Sequence, residues 1–322
     1  MQAKNSRRHI PCRCTAAALA GAILLGAAPA VSAAQSPITP RSTDACLYSG
    51  FENGRASLEL KKIAGYSAGT FHVDGGVMEI ISYNTATGYA YAVNGQSGLL
   101  TVLPMSALQA DASAVHLSGT DIDLKALTAQ ADPSFTYGDM TSVAISPDGR
   151  MLAAALQSAS YADAGRIALF QCGSDGSLTL QGLVPVGVQP DMVTFADNTT
   201  VLSADEGEPR MGYTADTTDP KGSVSVVDVP SMTATVVDFT AFDSQRDALT
   251  AKGVILKKGT APSVDLEPEY LAVCGNQVYV SLQEANAIAV LDLSTKRFTA
   301  IHSVGFEDYS ITPVDIDKKD GR

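Results

Sequence analysis

Seven carboxylates carry whatever chemistry this sequence offers: Glu79, Asp191, Asp205, Glu206, Glu208, Glu269 and Glu284. They recur in register. When the segments that hold them are aligned, Glu79, Thr141, Asp191 and Glu269 fall just ahead of an apolar strand. Gly95, Ser158, Glu206 and Glu284 fall just after the next strand, with Asn94, Gln157, Asp205 and Gln283 beside them. Gathered at one end of a repeating fold, three acids from the first register and two from the second would make an oxygen-only donor set. Such sets suit Ca²⁺ or Mg²⁺, and Ca²⁺ is the one cofactor the pattern implies. Asp205, Glu206 and Glu208 form the densest local group, with Asp216 and Asp219 on the same loop. Their spacing is not D-x-D-x-D-G-x₅-E, so no EF-hand is present. The same acids have a plain structural reading of equal standing, because loop carboxylates are normally solvated and acids ahead of a strand cap backbone N–H groups.

Other chemistry is poorly represented. Outside the N-terminal segment the histidines are His72, His116 and His302, with no H-E-x-x-H context for zinc. No G-x-x-x-x-G-K phosphate loop occurs. Asp265, Glu267 and Glu269 alternate, so an extended chain would put them on one face. Paired carboxylates can hydrolyse glycosides, but that chemistry needs an aromatic surface for the sugar, and the chain has no Trp and only 6% aromatic residues. No catalytic set is legible. If the acids do catalyse, the expected reaction is that of a Ca²⁺-dependent phosphatase- or esterase-like hydrolase, the ion polarising the scissile group and activating water.

The elements that must position these acids are short strands. GGVMEIISYNTATGYAYAVNGQSGLLTVLPM (75–105), GDMTSVAISPDGRMLAAALQSASYADAGRIALFQC (138–172), GVQPDMVTFADNTTVLSADEGEPRMGYTADTTDPKGSVSVVD (187–228) and LEPEYLAVCGNQVYVSLQEANAIAVLDL (266–293) share one plan. Each has an apolar strand, a turn, a second apolar strand, a polar loop and a third strand. The turns hold Thr87-Gly88, Pro147-Asp148-Gly149, Asp197-Asn198 and Gly275-Asn276. The strands are rich in Val, Ile, Tyr and Thr, with alternation in Ser223–Asp228. Only Met105–Ala110 and Ala241–Gly253 read as helical, both between repeats. Repeating antiparallel units of this size predict an all-β chain, a β-propeller of four-stranded blades. In a propeller the first strand of each blade lines the central channel.

These segments resemble a known family. SPDGRMLAAAL resembles the blades of YVTN/WD-like propellers. VGVQPDMVTFADNTTVLSADEGEP, DPKGSVSVVDV, DLEPEYLAV, QVYVSLQEANAIAVLDL and GFEDYS, in that order, are similar to the choice-of-anchor I domain, a family that includes mesenchyme-specific cell surface glycoprotein-like proteins. The resemblance spans residues 70–322. It implies a propeller of seven blades in the complete fold, exported and attached to the surface by varied anchors, and it brings no catalytic residue set. About four to five blades fit in residues 46–322, so the expectation is the N-terminal blades of an incomplete ring.

The 322-residue chain opens on Lys4, Arg7, Arg8 and Arg13, then an apolar Ala-rich run and small residues at Val31-Ser32-Ala33. This order predicts a signal peptide over residues 1–34, of Sec or twin-arginine type, with a polar linker over 35–45. The chain is therefore expected to be exported, whether periplasmic, extracellular or on the cell surface. The formal charge is −12, and loss of those four basic residues leaves 18 basic against 34 acidic, or −16. Such a chain repels nucleic acid and anionic membrane surfaces and favours cationic protein or small-molecule partners. No second membrane-spanning run follows. Cys46, Cys172 and Cys274 make at most one disulfide and lack zinc-ligand spacing.

Overall fold

The computed structural model describes residues 61–70, 77–95, 97–106, 108–109, 114–209 and 218–307. The expected signal peptide and linker, Cys46 and Asp216 lie outside them. The apolar runs become four antiparallel sheets of four strands each, whose neighbouring strands follow one another in the chain except for one short strand that intervenes in the first sheet. Before and beside the first sheet, β1 (Ala64–Gly65) pairs in parallel with β5 (Val115–His116). Blade 1 holds β2 (Ile81–Asn84), β3 (Tyr89–Asn94), β4 (Leu99–Pro104) and β6 (Thr120–Asp123). Blade 2 holds β7 (Tyr137–Ile145), β8 (Met151–Ser158), β9 (Ala164–Cys172) and β10 (Leu178–Val188). Blade 3 holds β11 (Pro190–Phe195), β12 (Thr200–Asp205), β13 (Ser223–Asp228) and β14 (Thr233–Asp238). Blade 4 holds β15 (Leu271–Cys274), β16 (Gln277–Leu282), β17 (Ala287–Asp292) and β18 (Arg297–Ser303).

The first strands pack side by side, β7 against β2 and against β11, and β11 against β15. That arrangement is a β-propeller, in which blades 2 and 3 are buried on both faces by their neighbours. The period of two in the sequence sorts side chains between those faces. On β8, Leu152, Ala154 and Leu156 join the core with blade 1, while Ala153 and Ala155 join the core with blade 3. On β12, Val201 faces blade 2, and Leu202 and Ala204 face blade 4. The inner strands are stitched across blades by Thr141, whose hydroxyl donates to the Pro190 carbonyl at 2.7 Å, and by Ser142, which accepts from the Val193 amide at 3.2 Å.

Helices fill connections. A 3₁₀ turn (Thr240–Gln245) running into α2 (Arg246–Ala251) occupies the expected helical stretch. An earlier helix, α1 (Leu124–Ala131), follows β6 directly and was not foreseen; the Asp123 carboxylate caps it by accepting from the Ala126 amide at 2.8 Å. The four-residue α3 (Pro262–Asp265) precedes blade 4. The helix expected over Met105–Ala110 is corrected: its described residues show one turn, the Leu108 amide donating to the Met105 carbonyl at 3.1 Å. Six residues are too few to offset helix nucleation. Cys172 is a free thiol.

Candidate functional site

The first register of acids holds. In blade 2, Met140 pairs with Leu156 and Ser142 with Ala155, so Thr141 is an extra, bulged residue. In blade 3, Pro190 pairs with Asp205 and Met192 with Ala204, which makes Asp191 the bulged residue. In blade 4, two residues face Ser281: the Glu269 amide donates to its carbonyl at 3.1 Å, and its own amide donates to the Tyr270 carbonyl at 2.9 Å. In blade 1 the Val93 amide donates to the Ile80 carbonyl at 2.8 Å, placing Glu79 at the same level. A bulge re-aims the side chain it carries, and here it does so once per blade at the same end of the sheets.

The second register slips by one residue in two blades. Asp205 is level with Leu156, both opposite the residue that precedes the bulge. Counting on from the bulge pairs places Asn94 and Leu282 at that level too. Gln157 and Gln283 therefore match Glu206, and Glu284 matches Gly207. Asp205 thus stands where the flanking blades bury a leucine, and it is fully buried itself. Its carboxylate accepts from Ser203 Oγ at 2.7 Å, Ser225 Oγ at 2.6 Å, Ser223 Oγ at 3.0 Å and the Gly187 amide at 3.2 Å. Burial still pushes it up to about 6. It builds the interior of blade 3, not the loop surface.

Two glycines bring the remaining acids together. The loop after β12 is anchored where the Glu206 amide donates to the Gln189 carbonyl at 2.9 Å and Gln189 Nε2 donates to the Glu208 carbonyl at 2.7 Å. Gly207, at φ +69°, lies so near the chain before β13 that a Cβ would sit 2.7 Å from the Lys221 carbonyl. Gly222 in turn lies against the Leu266–Pro268 segment, where a Cβ would collide with the Leu266 carbonyl. Only residues without a side chain let these strands of main chain stack, and the stacking carries Glu208 towards Glu267.

The electrostatics report the result. Burial pushes Glu267 up to about 7, helped by the charges of Glu284, Glu208, Asp219 and Asp265. Glu269 also rises to about 7, through burial and the charges of Glu284, Asp191 and Glu208. Burial and the carboxylates of Asp191, Glu269 and Glu79 raise the Tyr270 phenol. Of the seven expected residues, Asp191, Glu208, Glu269 and Glu284 therefore share one field, and Glu79 reaches its edge. Glu206 is half-exposed at the head of the same loop. Glu267, only 8% exposed, is the member the sequence reading passed over as a candidate; its alternation with Asp265 and Glu269 was the available signal. Among the described residues a lysine faces this group: Lys257 Nζ lies 3.3 Å from Asp219 Oδ2, while the Lys257 amide donates to the Asp265 carboxylate. Among the described residues, no three His, Cys, Asp or Glu side chains are grouped to enclose a metal ion. The carboxylates share one negative field.

A serine motif also appears outside this group. Gly65-Tyr66-Ser67-Ala68-Gly69 has G-x-S-x-G spacing, yet its strand is the two-residue β1 and residues 66–70 are not helical. Ser67 Oγ accepts from the Gly69 amide at 3.2 Å. The strand–turn–helix that exposes such a nucleophile is not formed there.

Consecutive four-stranded sheets with their first strands together, and acids gathered at one end of them, define a β-propeller with a polar mouth. The chain belongs to the choice-of-anchor I domain family, whose model matches residues 79–322. No curated protein matches it in sequence. Among solved structures it is similar to Kuenenia stuttgartiensis hydrazine synthase (12% identity, 74% of this chain and 53% of that one, TM-score 0.42). It is also similar to the β-propeller domain of Myceliophteria thermophila Cps50 (Swd1) (10% identity, 72% and 57%, TM-score 0.40). A protein from Lactobacillus plantarum aligns at 16% identity over 69% of this chain and 56% of that one, with a TM-score of 0.45. The chain thus spans a little over half the length of each.

Proposed function

We propose that this protein is an exported binding module whose acidic mouth takes a cation, either a divalent ion such as Ca²⁺ or a basic group on a partner. The observation that carries the reading is the raising of Glu267 and Glu269 to about 7 by burial and by their acidic neighbours. Like charges held this close repel, and a bound cation would relieve that repulsion. The leader-like N-terminus and the family's link to surface anchoring support export. No helix among the described residues is long and apolar enough to cross a membrane.

A second reading, a metal-dependent phosphatase- or esterase-like hydrolase, is favoured by the same two glutamates, since a carboxylate poised near neutrality is suited to general-base work. One experiment separates the two. Thermal unfolding of the mature chain is followed in EDTA and then with added Ca²⁺ or a lysine-rich peptide, alongside turnover of p-nitrophenyl phosphate. A ligand-induced rise in Tm that Glu206→Gln with Glu269→Gln removes, without turnover, supports the binding module. Turnover that requires Ca²⁺ supports the hydrolase. No rise with either cation and no turnover would refute both.

A further inference from the structure

Glu267 lines a cavity of about 250 Å³ together with Asp265, Glu284, Ile255, Leu256 and Lys257. Its carboxylate accepts no hydrogen bond from any described residue, although the residue is more than nine-tenths buried. Buried carboxylates are ordinarily paired or hydrogen-bonded, because the unmet desolvation cost is large. This cavity, which Glu267 lines, has room for a group that would meet that cost. One wall is apolar, from Ile255, Leu256 and the methylenes of Lys257. The other is acidic. The wall is held in place where the Ile255 amide donates to the Ala285 carbonyl at 2.9 Å, next to Glu284, and where the Lys257 amide donates to Asp265.

We infer that this cavity binds a primary alkylammonium group, the ammonium on Glu267 and the carbon chain along Ile255 and Leu256. The inference rests on the reading above that the acidic mouth takes a cation, and it names which kind. The volume falls below the roughly 300–1,000 Å³ of ordinary small-molecule sites, which fits one side chain better than a whole metabolite. A metal ion would want several converging oxygens, and no three ligating side chains converge among the described residues. A guanidinium would want a bidentate partner, whereas one buried carboxylate suits the compact charge of an ammonium. Glu208, Asp219, Asp265 and Glu284 all bear on Glu267 with the same sign, and Lys257 places its ammonium 3.3 Å from Asp219. The same chemistry serves a lysyl side chain of a partner and a free diamine.

The test uses calorimetric titration of the mature chain at pH 8 with four probes: an acetylated lysine peptide, the same peptide with norleucine, cadaverine and CaCl₂. The lysine peptide and cadaverine are expected to bind and the norleucine peptide not. A tighter lysine peptide assigns the source to a partner chain, and tighter cadaverine to a free amine; either result supports the site. Glu267→Gln should weaken binding by about 30-fold or more, as truncation of one partner of a buried charge pair does. Because Glu267→Gln alters a buried position, Ile255→Trp is a second variant. Ile255 is half exposed, so the bulky ring can fill the cavity entrance without disturbing the fold, and it should abolish amine binding. Amine binding untouched by both variants would overturn the inference. Binding of Ca²⁺ without binding of amines would overturn it while leaving the cation reading intact, and absence of all binding would remove both.

Discussion

The acidic mouth should make the protein more stable in mild acid than in mild alkali. Glu267 rises from 4.5 in the unfolded chain to about 7 in the fold. A carboxylate raised in this way binds its proton more tightly when folded, so its contribution is fully present below pH 4.5 and is lost as pH rises through 7. Between pH 5.5 and pH 8, linkage for that single group amounts to about 2 kcal/mol. Glu269 shifts in the same direction but shares Glu284 and Glu208 as neighbours, so the pair contributes less than twice that. Asp205, raised to about 6 by burial, adds on the order of 1 kcal/mol with the same sign. The carboxylates held low by local hydrogen bonds, among them Asp148, Asp197 and Asp292, stay ionised throughout this window and leave the slope alone. For a chain of this size about 2 kcal/mol corresponds to roughly 4–8 °C. Thermal unfolding by circular dichroism, in low salt with no divalent ion or amine, should therefore give a higher Tm at pH 5.5 than at pH 8. Glu267→Gln should raise the Tm at pH 8 and flatten the profile. A flat or opposite profile in the parent protein, or an unchanged slope in the variant, would refute the shared field at the mouth.

Two further substitutions probe how the blades are held. Asp205→Ala should cost about 3 kcal/mol or more in urea unfolding, because it strips the common acceptor from three buried hydroxyls and the Gly187 amide. Asp205→Asn keeps the shape and should cost less. Asn84 is fully buried and joins two blades: its Nδ2 donates to the Gly149 carbonyl at 2.7 Å, and its Oδ1 accepts from the Ala86 and Thr87 amides. Asn84→Ala should destabilise by about 2 kcal/mol and speed hydrogen exchange in both linked turns; exchange that quickens in the Asn84 turn alone would count against an inter-blade role.

The architecture was legible because both faces of a blade are buried by the same rule. Alternation in Thr200–Asp205 and Met151–Ser158 encodes two cores at once, and a repeat that shows this pattern four times admits few other folds. The first acid register was legible for a related reason: Thr141, Asp191 and Glu269 precede strands whose apolar residues fix the count. The second register depended on where the second strand ends, and there the polar residues mislead. Asp205 reads as the start of an exposed acidic turn, yet it ends β12 at the level of Leu156 and Leu282. Its partners Ser203, Ser223 and Ser225 lie two residues apart on adjacent strands, which is the trace a buried polar network leaves in a sequence. Glu267 was hidden differently. The residues on either side of it, Leu266 and Pro268, are met by Gly222, a contact between positions more than 40 residues apart in the chain that no local pattern records.

Those contacts also bear on what the mouth is for. Acids on a solvated loop repel one another weakly and move apart at little cost. Here Gly207 and Gly222 permit an approach that a side chain would prevent, and the approach drives Glu208 towards Glu267 against their mutual repulsion. An amide at Glu267 would remove the electrostatic penalty. A fold that holds Glu267 beside acids of the same sign, with a cavity alongside, would be stabilised by a cation arriving from outside. On the reading proposed above, such an occupant accounts for the mouth.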